Sequence, residues 1–140
     1  MSNAITAHTI NNGVRNLILQ FNIVADGSGD YSDFELLNVL DYLGSGHRDV
    51  PNDFKVLGLS GRNGVGTSLQ LKFGSAANNH RLFFESVADE SFHESWSGGL
   101  TTGVTDADMT VRITTLGFDA SADTITLQIH LQKKFSRNAA

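Results

Sequence analysis

Two stretches of this chain alternate between apolar and polar residues with a period of two. In "RNLILQFNIV", Arg15 to Val24, the side chains of Leu17, Leu19, Phe21 and Ile23 fall on one side and those of Asn16, Gln20 and Asn22 on the other, with Ile18 the exception. In "DTITLQIHLQKKF", Asp123 to Phe135, Ile125, Leu127, Ile129 and Leu131 oppose Thr124, Thr126, Gln128, His130 and Gln132. Successive side chains of a β-strand point to opposite faces, so this period describes strands with one face buried and one wet. "MTVRITTLGF", Met109 to Phe118, repeats the pattern, and "FDASAD" after it reads as a turn. Residues 109 to 133 are therefore expected to form an antiparallel hairpin. Less regular strands are expected at Phe54 to Ser60, Thr67 to Phe73, Arg81 to Val87 and Phe92 to Trp96.

The short apolar runs are separated by clusters of Gly, Asn, Ser, Thr and Asp, the rhythm of an all-β domain. At 140 residues the chain is the size of one domain. It can bury roughly two-thirds of its unfolded surface and needs no covalent staples. It has no cysteine, which excludes disulfides, thiolate metal sites and cysteine nucleophiles. The polar, glycine-punctuated segment 1–14 is expected to be an extended N-terminal arm, 15–135 one β-sandwich domain, and 136–140 a short tail. Leu43 to Asp53 reads as the longest surface loop. The segment "YSDFELLNVLDYLG" gives two answers. Ser32 and Glu35 stand at capping-box spacing, Leu36, Val39 and Leu43 follow helical spacing, and Gly44 suits a C-cap. An extended reading competes, weakened by Asn38.

Several segments approach chemical motifs and miss them. "SGRNGVGTS", Ser60 to Ser68, is a phosphate-loop pattern lacking its lysine. A phosphate loop must open into a helix, whose N-terminal N–H groups hold the anion. Here Leu69, Leu71 and Phe73 alternate with Ser68, Gln70 and Lys72, so a strand follows. The segment reads as a β-hairpin with Asn63-Gly64 near its tip. In "DGSGDYSD", Asp26, Ser28 and Asp30 match the first ligand positions of a calcium loop, but Tyr31 and Leu37 stand where Gly and Glu are required. It reads as a polar turn. His8, His47, His80, His93 and His130 show no metal-binding spacing. No nucleophile elbow occurs, since "GLSGR" puts Ser60 out of frame. Trp96, before Gly98-Gly99, is a core aromatic at a strand end or, on the competing reading, an exposed anchor.

The net charge is −5 with histidines neutral. A mildly acidic chain lacking a basic stripe is a poor match for phosphate-neutralising nucleic-acid binding. Lys133, Lys134 and Arg137 form a small basic cluster expected to be a solvated tail. No apolar run approaches the roughly 20 residues that span a bilayer. The N-terminus shows no basic and apolar leader. The expectation is a soluble chain with neither nucleic acid nor membrane as partner.

Taken in order, the polar start "MSNAIT…TI…G.RN", a central hairpin, the "GGL" corner and the ending "T.RITTLGF…ADTITLQIHLQKK" resemble a group of small all-β proteins encoded in the structural-gene regions of tailed bacteriophages. The resemblance implies that the segment from Phe34 to Leu43 is strand or irregular rather than helix. It implies an antiparallel β-sandwich or jelly-roll-like fold and a virion component without catalytic, cofactor-binding or metal-binding residues. The first expectation is a capsid decoration (cement) protein, a homo-oligomer with a trimer as its expected order, bound to the major capsid protein or another virion subunit. Alternatives are a tail, head–tail joining or baseplate protein, or a small carbohydrate-binding module using Trp96, Tyr31 or Tyr42 as stacking platforms.

Overall fold

The computed structural model describes residues 4–13, 16–25, 30–42, 53–64, 66–76, 79–86, 90–103, 107–118 and 124–134. Asp26 and Ser28 of the calcium-like turn, His47, most of the 43–53 loop, Arg137 and the tail 136–140 lie outside the described residues. Nine strands are described: β1 (Ala4–Asn12), β2 (Asn16–Val24), β3 (Phe34–Asn38), β4 (Asp53–Asn63), β5 (Ser68–Ser75), β6 (Arg81–Glu85), β7 (Ser91–Thr101), β8 (Ala107–Leu116) and β9 (Thr124–Lys134). They form two sheets, ordered β1-β2-β9-β4-β7 and β3-β8-β5-β6.

The pairing follows one rule. β2 pairs with β9, β3 with β8, β4 with β7 and β5 with β6, all antiparallel. The chain thus runs out along four strands and returns beside each of them in reverse order. Two further pairings, β4 with β9 and β5 with β8, roll this long hairpin into two facing sheets. That is the jelly-roll arrangement of an antiparallel β-sandwich. β1 is an addition at one edge, laid along β2.

The apolar faces read from the sequence meet in the middle. Leu17, Leu19, Phe21 and Ile23 of β2 and Ile125, Leu127, Ile129 and Leu131 of β9 are buried, facing Leu69, Leu71 and Phe73 of β5 and Val111 and Ile113 of β8. Each such side chain contributes about 1.5–3 kcal/mol on burial. Aromatic rings close the two sides. A series of ring contacts, Phe54–Phe73–Phe83–Trp96, runs from the core toward the β6 and β7 edges. Tyr31 packs on Phe34 and Phe118 beside β3 and β8.

Four expectations are corrected. Residues 109 to 133 are not a hairpin, because β8 and β9 belong to different sheets. Nor is the glycine segment, since β4 and β5 also sit in opposite sheets. Alternation reports which side of a strand is buried, and a strand keeps its buried side whether the chain folds back beside it or crosses over the core. Third, the segment expected as an arm supplies β1, whose backbone pairs with β2 although nearly all its side chains are exposed. Fourth, Lys133 is not a solvated tail residue but is fully buried.

Within segment 32–43, the described residues up to Tyr42 resolve into strand and a single tight turn. Phe34–Asn38 pairs with β8, and Val39–Tyr42 is one 3₁₀ turn. Leu36, Leu37 and Val39 bury against the core, and Asn38 Oδ1 accepts the Leu40 N–H at 2.9 Å. The side chain of Asn38 thus caps the turn at the residue that breaks the alternation.

Candidate functional site

The two outer faces of the sandwich differ in chemistry. On the five-stranded sheet, cross-strand registers place side chains in rows. One row runs His8, Gln20, Gln128, Ser60, His93. The row on one side of it is Thr6, Asn22, Thr126, Arg62, Ser91. On the other side lie Ile18, His130, Gly58 and Ser95. The middle of this face is therefore built from amides, hydroxyls and imidazoles. Formal charges enter at its ends and at its β7 edge, with Arg62 at one end, Asp53, Lys55 and Lys134 at the other, and Glu94 on β7. Five strands about 4.8 Å apart, carrying rows about 7 Å apart, make a surface of roughly 400–500 Å².

The outer face of the four-stranded sheet is a closed ionic network. Lys72 Nζ reaches Asp33 Oδ1 at 2.7 Å, and Arg112 Nη2 reaches Asp108 Oδ2 at 3.1 Å and Glu35 Oε1 at 4.0 Å. Gln70 Nε2 donates to Glu85 Oε2 at 2.6 Å. The Lys72 hydrogen bond, helped by Thr114, holds the Asp33 carboxyl below its ordinary range despite partial burial. Burial pushes the Asp108 carboxyl up, but hydrogen bonds from Thr110 and Arg112 outweigh it, and the group lies below its ordinary value. Lys72 and Arg112 are thus committed to carboxylates of the same face, while Glu85 is held by a neutral amide.

A shallow depression of about 260 Å³ interrupts the neutral face. It is lined by Gly58, Ser60, His93, Gln128 and His130, with one carboxylate residue, Glu94, at its β7 side. Its origin is a double irregularity. Between Val56 and Gly58 on β4 only Leu57 intervenes, whereas the facing positions on β7, Leu100 and Ser95, are separated by Trp96, Ser97, Gly98 and Gly99. β7 bows out there, with Gly98 and Gly99 at φ of 80° and 88°. The same bow turns Trp96 toward Phe83. Trp96 is half-buried against the core cluster, the core reading of that residue.

The remaining motif residues have structural partners. Asn63 is not a loop tip; it is the last residue of β4, buried, with Nδ2 donating to Ser86 Oγ at 2.9 Å. The left-handed glycine of this segment is Gly66, not Gly64. Asp30 Oδ1 accepts the Phe118 N–H at 2.6 Å and the Thr115 hydroxyl at 3.0 Å, pinning the turn before β3 to β8. His80 Nδ1 accepts the Ser75 N–H at 2.9 Å. Tyr31, Tyr42 and Trp96 sit in three different places: beside Phe118, at the 3₁₀ turn, and against Phe83. Lys133 Nζ donates to Tyr42 O at 2.6 Å, Asn12 Oδ1 at 2.7 Å and Gly13 O at 3.1 Å. Among the described residues no three of His, Asp and Glu converge as a metal site, and no helix is long and apolar enough to cross a membrane.

The sequence exposed the polar sides of β2 and β9 separately. It did not reveal that β9 lies between β2 and β4, which is what merges those sides into one surface. Strand order was the missing signal.

No family model matches this chain, and no curated protein matches it. Among solved structures it is similar to Peruvianin-I, a cysteine peptidase from Thevetia peruviana latex, at 8% sequence identity and a TM-score of 0.40. The match covers 92% of this chain and 61% of that one, so the chain spans less than two-thirds of the protein it matches. A likeness at this level says nothing about activity.

Proposed function

We propose that this chain is a structural protein of a tailed-phage particle, a capsid decoration (cement) protein that docks through the outer face of its five-stranded sheet. The observation that carries this reading is the asymmetry of the two faces. Docking removes water from whatever it covers, and desolvating a charge costs far more than desolvating an amide or hydroxyl. Depletion of charge at the centre is the compositional mark of an interface core. The middle of the five-stranded face has that composition, while the opposite face is rich in charges, most of them in ion pairs, and is suited to remain in water.

The fold agrees by analogy only. Jelly rolls serve in capsid proteins, lectins and cupins alike. The carbohydrate-binding alternative finds no support in the arrangement, because Tyr31, Tyr42 and Trp96 do not share a face. The partner on this reading is the major capsid protein or another virion subunit, and the copies act as a homo-oligomer.

Cryo-microscopy of the source particle tests the proposal. Density for this fold is expected on the shell, with the β2-β9-β4 face toward the capsid subunits. Density confined to the tail or baseplate would replace the decoration role by a tail role, and absence from the particle would sink both.

A further inference from the structure

The five-stranded sheet has an edge that nothing in the described structure covers. β1 pairs with β2 on one side and has no strand on the other. An unpaired edge is a template for another strand, and proteins usually blunt it with charges, bulges or short length. The other three edges are blunted. β3 is five residues long, carries Glu35 and has a bulge between Glu35 and Leu37. β6 is also five residues and begins with Arg81 and ends with Glu85. β7 carries Glu94 and bows out of the ladder at Trp96 to Gly99. β1, "AITAHTINN", is nine residues long and contains no Asp, Glu, Lys or Arg. Its register with β2 is regular from Ala4 to Thr9, and the bulge comes only after Thr9.

We propose that the free edge of β1 pairs antiparallel with β1 of a second copy of this chain, joining the two five-stranded sheets into one of ten strands. In a symmetric antiparallel pair the residue on the axis faces its own copy, and residues equally far to either side of it face each other, so charges of one sign along the strand would repel; β1 has no charge. Antiparallel pairing of identical edges requires a two-fold axis perpendicular to the sheet. That axis keeps both neutral outer faces on the same side, with His8 of the row His8–Gln20–Gln128–Ser60–His93 nearest the axis in each copy. The joined face is about twice the roughly 400–500 Å² of one copy and reaches the ~800 Å² per partner of a standard interface. The edge contact itself is small, so the isolated pair is expected to be weak. The pairing does not depend on the virion reading.

The absence of cysteine from the chain makes the test clean. Single-cysteine variants at Ile5, Thr6, Ala7, His8 and Thr9 are oxidised mildly in the purified full-length protein, with Ser97→Cys on the opposite edge as control. The expected result is a disulfide-linked dimer whose yield peaks at one position within Ile5 to Thr9 and is at least tenfold lower at Ser97. In parallel, sedimentation velocity over a hundredfold concentration range is expected to show monomer passing to dimer. Ala7→Lys/Thr9→Lys, at exposed sites, is expected to abolish the dimer without shifting the thermal midpoint. A monomer at every concentration, a trimer, cross-linking that peaks at Ser97, or a dimer unchanged by the two lysines would each overturn the proposal. Should the lysine variant misfold, the cysteine scan decides alone. A dimer found for a chain missing from the phage shell would leave the pairing standing and the decoration role lost.

Discussion

Lys133 spends its ammonium group on three neutral oxygens, from Asn12, Gly13 and Tyr42. Burial pushes its pKa below the ordinary value, yet the cation ties together the end of β1, the turn after it and the 3₁₀ turn. Removing it leaves three partly buried acceptors without their donor. Lys133→Met is expected to cost about 1–3 kcal/mol and to lower the thermal midpoint by several degrees. Lys134→Met, one residue on and exposed, should change stability by no more than about 0.5 kcal/mol. Nothing in "LQKKF" separates the two lysines except parity: Lys133 continues the apolar side of β9 and Lys134 the polar side. The alternation therefore held the information, and the expectation of a solvated basic end overrode it.

Asp33 makes a pH prediction at the same scale. Its carboxyl lies below the ordinary 3.8 because Lys72 and Thr114 bond to the charged form. A carboxyl depressed on folding contributes stability that is complete above 3.8 and is lost as pH falls through the lower folded value. Asp33→Asn should therefore lower the thermal midpoint more at pH 7 than at pH 2, with a difference of about 1 kcal/mol or less for so exposed a pair. Asn is the apt replacement because Asp33 has a φ of 46°, a conformation Asn adopts readily. Calorimetry at the two pH values checks it, and an equal loss at both would show that the ion pair is not the cause.

At the scale of elements, the bow in β7 explains a pair of glycines that the sequence could place only at a corner. Four residues of β7 must fit opposite Leu57, so the strand turns through positive φ at Gly98 and Gly99. At Gly99 a Cβ would come within 2.5 Å of Lys55 Cδ and 3.0 Å of Leu57 Cδ2, whereas at Gly98 the space is open. Gly98→Ala should thus carry only the backbone cost of about 1–2 kcal/mol, and Gly99→Ala that cost plus displacement of Lys55 and Leu57. Trp96 is the sole tryptophan and is held by the same bow, so its emission should shift to the red in Gly99→Ala more than in Gly98→Ala. Equal stability and unchanged emission in both would mean that the bow does not hold Trp96 in place. Strand positions were legible because each buried face has to be apolar every second residue. The bow was not, because it is defined by the mismatch between two strands, one of which sits more than thirty residues away in the chain.

The whole molecule is fixed by pairings that no local pattern records. Period-two alternation identified the inward residues of β2, β8 and β9, and those residues do form the core. It could not distinguish a strand that folds back beside its predecessor from one that crosses to the other sheet, and both expected hairpins failed for that reason. The order β2-β9-β4 that results also creates the neutral face, which makes the docking proposal a claim about topology as much as about side chains. Its sharpest test places charge at the centre of that face. Gln128 is exposed in the central row, beside Gln20 and Ser60, so Gln128→Glu should leave folding stability within about 0.5 kcal/mol. Buried against a partner without a counter-charge, the same carboxylate would cost several kcal/mol, a loss of a hundredfold or more in affinity for the particle. Glu85→Gln on the opposite face removes a charge that the proposal leaves in solvent, and its affinity should match the wild type. Co-sedimentation of purified protein with particles stripped of it measures both. Comparable losses from the two substitutions would place the contact elsewhere, and a loss from Glu85→Gln alone would move it to the four-stranded sheet.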